Sequence, residues 1–140
     1  MFFLALLTLL VLSVADGVGE IGTIRILQRG HRKVRNLIIS GEKAFASEWK
    51  TIFKYEPEKR AILVSETRFL TVDERGPLGI LPEFSSGWHV GKLYRGQRQV
   101  SYLRDKDFYV CGDDTIDFIG NCDGALRISL YFEPYSVANL

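Results

Sequence analysis

The chain has 140 residues, with 18 Lys and Arg against 17 Asp and Glu, for a formal net charge of +1. A balance this close says nothing for a polyanionic or a polycationic partner, so only the distribution of charge along the chain can. The length suits one domain that buries its own core and leaves no room for a second.

The N-terminus reads MFFLALLTLLVLSVADG, and residues 2–15 carry no charge before Asp16. About fourteen apolar residues are too few to span roughly 30 Å of hydrocarbon as a helix. The short side chains of Ser13 and Ala15 suit signal peptidase, so the sequence predicts a secretory signal peptide over 1–15, with cleavage after Gly17 as the second choice. Its start lacks Lys and Arg and relies on the α-amino group for positive charge. Residues 16–140 then form a single secreted β-domain, and no second apolar run of membrane length follows, so no membrane span is expected after cleavage.

Short β-strands follow. GTIRILQ and VRNLIIS are rich in β-branched residues and are separated by the turn-forming RGHRK. EKAFASEWKTIF fits a strand, although Phe45, Trp49, Ile52 and Phe53 also match a helical stripe. TIFKYEPEKRAILVSE reads as a hairpin whose tip holds Pro57. RFLTV is a strand, DERGPLGILPEFSSG is turn-rich, and WHVGKLY, QVSYL, FYVC and TIDFI are further strands. In ALRISLYFE, alternation places Leu126, Ile128, Leu130 and Phe132 toward a core. The whole predicts an all-β fold, a small antiparallel sandwich or closed barrel with one disulfide, without a visible internal repeat.

Cys111 and Cys122 are the only cysteines, and a secreted chain passes an oxidising compartment in which such a pair joins. A bridge closing so short a loop contributes about 3 kcal/mol. A zinc site with His31 and His89 does not fit, because the cysteines lack knuckle spacing and the histidines lie far apart in sequence. Calcium is the candidate ion for this stretch, since Asp113, Asp114, Asp117 and Asp123, with Asn121, supply hard oxygens. The alternative is an acidic turn in water, because Asp, Asn and Gly favour turns for conformational reasons. No other cofactor is expected.

RILQRGHRKVRN gathers Arg25, Arg29, His31, Arg32, Lys33 and Arg35. Such a patch suits cell-wall or surface glycans or acidic polymers through charge-assisted hydrogen bonds. Its alternative is a basic turn with solvated charges. Nucleic acid is not expected, since no aromatic residue interleaves for stacking. Residues 16–60 carry ten basic and six acidic side chains and residues 105–140 two and seven, so the two segments can also neutralise each other. Trp88 is a further ligand-binding candidate that would stack on a sugar ring, as would Trp49, although a core position is the commoner fate of each.

No catalytic signature emerges. A ribonuclease of the acid-base type would draw on His31, His89, Glu56, Glu58 and Arg60, and Ser85 or Ser86 near His89 makes no G-x-S-x-G elbow. The reading is a secreted non-enzymatic binding or structural protein at the cell surface, cell wall or extracellular matrix. A secreted hydrolase such as a small ribonuclease is the alternative, and a secreted effector or toxin-like protein the next.

From Arg68 onward the landmarks are RFLTVDERG, SSGWHVGKLY, VSYLRDKDFYVC and NCDGALRISL. Gly87 and Trp88, then Phe108, Tyr109 and Cys111, then Cys122 before Ala125 to Leu130, resemble the secreted C-terminal domain of fungal PIR-type cell-wall mannoproteins. The resemblance implies a non-enzymatic β-domain of the secretory pathway or wall. The chain departs from that family in having two cysteines, more charge and no glutamine-bearing repeats, so covalent linkage to glucan is not carried over.

Overall fold

Alternating short apolar runs and turns fold into sheet throughout the computed structural model, which describes residues 19–31 and 33–135. The signal peptide expected over 1–15 and Arg32 lie outside these residues. Among the described residues there are twelve strands and no helix: β1 (Glu20–Gln28), β2 (Arg35–Ser40), β3 (Lys43–Ser47), β4 (Phe53–Glu56), β5 (Ala61–Ser65), β6 (Arg68–Val72), β7 (Leu78–Leu81), β8 (Trp88–Val90), β9 (Arg98–Tyr102), β10 (Phe108–Val110), β11 (Ile116–Asp117) and β12 (Leu126–Pro134). It follows that no helix among them is long and apolar enough to cross a membrane.

Seven antiparallel strands close on themselves in the order β1, β2, β3, β7, β6, β5, β4, so the fold is the closed-barrel alternative. A second ring runs β1, β4, β5, β8, β9, β12. Its β5-to-β8 link is the Trp88 N–H donating to the Arg60 carbonyl at 3.0 Å. The hairpins β2–β3, β6–β7 and β10–β11 meet at one end of this second ring. A unit of strand, hairpin and strand therefore occurs three times, which is the topology of a β-trefoil.

The threefold relation extends to individual hydrogen bonds. Where the hairpins meet, Ala46 N–H donates to the Asp114 carbonyl at 2.8 Å, Ile80 N–H to that of Glu42 at 2.9 Å, and Phe118 N–H to that of Gly76 at 2.8 Å. Corresponding core positions match as well. Ile24, Ile62 and Val100 are all buried, as are Leu37, Leu70 and Phe108, and Ala44, Leu78 and Ile116. Phe53, Trp88 and Leu130 form another layer, each fully buried. Burying each such large side chain contributes about 1.5–3 kcal/mol, and this packing holds the barrel closed.

Several sequence expectations need correction. EKAFASEWKTIF is strand, turn and strand, and its Trp49 is 80% exposed instead of buried in the core. Within DERGPLGILPEFSSG lies β7, which pairs with β6 and β3. Leu126 is 54% exposed, while Ile128, Leu130 and Phe132 face the core as expected. The EPEK tip does form its turn, with Arg60 N–H donating to the Pro57 carbonyl at 3.2 Å.

Candidate anion-binding clefts

The two cysteines form a disulfide, Cys111–Cys122, with Cα atoms 5.7 Å apart. Three of the acids around it have partners within the protein. Asp113 accepts hydrogen bonds from the Thr115 hydroxyl at 2.6 Å and the Thr115 N–H at 3.1 Å. Asp114 pairs with Arg35 at 2.9 Å. Asp117 is buried and accepts from the N–H groups of Ile119 and Gly120. Asp123 is exposed. Among the described residues no three His, Cys, Asp or Glu side chains converge as a metal site. Asp113 and Asp117 thus satisfy donors of their own turns and Asp114 neutralises Arg35, which is what the solvated acidic-turn alternative describes.

The Thr115 hydroxyl, followed by its N–H, holds the Asp113 carboxyl below the usual aspartate range. A depressed folded-state pKa contributes stability that is present above the ordinary aspartate pKa and lost as pH falls through the folded value. Thr115→Val should move the Asp113 titration upward in an NMR pH series; an unmoved titration would show that the hydroxyl is not the cause.

The basic segment does not form one patch. Arg25 pairs with Glu133 at 3.5 Å and Arg35 with Asp114 at 2.9 Å, so the acidic C-terminal segment neutralises part of it. Lys33 lies 3.8 Å from Glu48 on the surface. Of the segment's basic side chains, Arg29 and His31 line a cleft, and Arg32 lies outside the described residues. Trp88 offers no face to a ligand: it is 0% exposed and its indole N–H donates to the Leu70 carbonyl at 2.8 Å.

Two clefts instead collect cations from distant parts of the chain. The first lies at the seam of β8 and β9 and encloses about 550 Å³. It is lined by Arg60, Ser86, Gly87, His89, Ser101, Leu103 and Arg104, with no carboxylate among them. Strand alternation makes this site, because β8 buries Trp88 and Val90 and turns His89 outward, opposite Ser101 on β9. Three of its lining residues have left-handed backbones without being glycine: Arg60 at φ 50°, Leu103 at φ 50° and Arg104 at φ 70°. Each such conformation costs on the order of 1 kcal/mol, and residues of this kind cluster at functional sites.

The second cleft, of about 680 Å³, lies at the seam of β12 and β1. Arg29, His31, Lys106 and Arg127 line it, with Asp107 its one carboxylate. The chain's two histidines thus line different clefts, so a paired-histidine ribonuclease centre is not assembled. Sequence reading named Arg60 and His89 only as loose catalytic types and missed Arg104, Lys106 and Arg127 altogether. The one local signal was the alternating LRDKD run over residues 103–107.

No protein-family model matches the chain, and no curated protein matches it.

Proposed function

We propose that this is a secreted binding protein of the cell surface, wall or extracellular matrix, without catalytic activity, that recognises anionic groups on surface glycans or acidic polymers. The observation that carries this reading is the β8–β9 cleft, whose charges are Arg60 and Arg104, with His89, Ser86 and Ser101 as hydrogen-bonding partners. Guanidinium groups bind sulfate, phosphate and carboxylate through paired, charge-assisted hydrogen bonds. A disulfide, formed as in oxidising compartments, supports secretion. The resemblance to PIR-type mannoproteins, carried by Phe108, Tyr109, Cys111 and Cys122, supports a wall location.

The test is retention of the purified mature chain on acidic and on neutral wall polysaccharides over a salt gradient, with RNA included and its cleavage monitored. Retention on acidic polymers alone, weakened by salt, is expected. Equal retention on neutral polymers, or cleavage of RNA, overturns the reading. Arg60→Asn with Arg104→Asn should cut retention at least tenfold while preserving fold, because asparagine tolerates a left-handed backbone.

A further inference from the structure

The two cationic clefts occupy corresponding positions in the threefold fold. Register equates Trp88 paired with Tyr102 and Leu130 paired with Ile26, so Gly87 and Leu103 of the first cleft correspond to Ser129 and Leu27 of the second. Both clefts therefore open toward the same end of the barrel. Their seams are two strand spacings apart, about 10 Å along the wall.

They also share a rim. β9 and β10 both pair with β12, and the segment joining them, Leu103 to Asp107, supplies Arg104 to the first cleft and Lys106 to the second. Asp105 in this rim is turned to its own loop, accepting the Asp107 N–H at 2.9 Å. Across both clefts the fixed cations are Arg60, Arg104, Lys106, Arg127 and Arg29, against Asp107 among the lining carboxylates. The third corresponding seam, between β4 and β5, breaks the pattern: Ile21, Ile52 and Leu63 line it with Glu56 and Glu66, and its one cation, Lys54, is paired with Glu56 at 3.8 Å.

We infer that the two clefts form a single tract for a linear acidic polysaccharide, whose successive anionic groups occupy the β8–β9 cleft, cross the 103–107 rim and occupy the β12–β1 cleft. This rests on the anion-binding reading and adds a polymeric ligand and a second site. A single phosphate or sulfate would satisfy only one cleft. Nucleic acid fits less well, since no Phe, Tyr or Trp lines either cleft and each offers a single imidazole for stacking.

Calorimetry with a sulfated disaccharide, a sulfated octasaccharide of the same repeat and a single-stranded oligonucleotide of equal charge tests this. The octasaccharide should bind the mature chain at least 100-fold more tightly than the disaccharide. Arg60→Asn with Arg104→Asn, and separately Lys106→Gln with Arg127→Gln, should each weaken octasaccharide binding at least tenfold. Each pair should also lower the slope of log affinity against log salt by about 2. Circular dichroism melts confirm that both double variants fold. If the disaccharide binds and length adds nothing, or one double variant leaves octasaccharide affinity intact, the tract is wrong while anion binding stands. If neither saccharide binds, both readings fall. Tighter binding of the oligonucleotide than of the octasaccharide overturns the choice of polysaccharide.

Discussion

Trp88→Ala is expected to destabilise the fold by about 3–5 kcal/mol, the cost of truncating a large, fully buried aromatic residue. The indole is 0% exposed, lies 4.8 Å from the Tyr102 ring and stacks at 6.1 Å on Phe108, which ties the β8–β9 seam to the β10 hairpin. Truncation also leaves the Leu70 carbonyl without its donor. Against a total stability of about 5–15 kcal/mol for a domain of this size, the loss is a large fraction. Trp88→Phe keeps the ring but loses the N–H and part of the volume, for an expected cost of about 1–2 kcal/mol. Urea unfolding followed by circular dichroism should show a lower midpoint at unchanged slope. A shift of less than about 1 kcal/mol in the alanine variant would falsify the core role.

The same residue sets the first cleft. Its backbone N–H holds Arg60 against β8, and its neighbours Gly87 and His89 line the opening. Destabilising Trp88 should therefore weaken anion binding without removing any cation, whereas Arg104→Asn should weaken binding by removing a cation and leave the melting temperature close to its original value.

Strand alternation in ALRISLYFE and the EPEK turn made the all-β class legible, because burial imposes a period of two that survives in the residue order. The threefold repeat was illegible because corresponding core positions hold side chains of different size. Ala46, Ile80 and Phe118 share one position, and the layer of Phe53, Trp88 and Leu130 shows the same freedom. Volume is conserved over a layer, not at each residue. The strand β7 was hidden by Pro77 and Gly79, which read as turn residues. Gly79 is needed for close approach: a Cβ there would meet the Glu42 carbonyl oxygen at 2.7 Å, where β7 meets β3. The candidate clefts were illegible for another reason. Arg60, His89 and Arg104 come from three separate segments, and only barrel closure brings them to one seam.

Loss of the disulfide should be the second large effect, and its size follows from the hairpin it encloses. The β2–β3 hairpin has five paired positions and β6–β7 has four, but β10–β11 has two. The shortest hairpin must still present Asp114 and Phe118 to its neighbours at the threefold contact. The Cys111–Cys122 bridge, with a sequence separation of 11, restricts that loop in the unfolded chain and compensates for the missing ladder. Cys111→Ala with Cys122→Ala should cost about 3 kcal/mol and lower the melting temperature by about 10 °C. The damage should be local first, with faster amide exchange at Ala46 and Phe118, whose N–H groups donate across the hairpin contact. Exchange that accelerates uniformly, with no excess at these two amides, would mean that the bridge acts on the whole fold and not on its shortest hairpin.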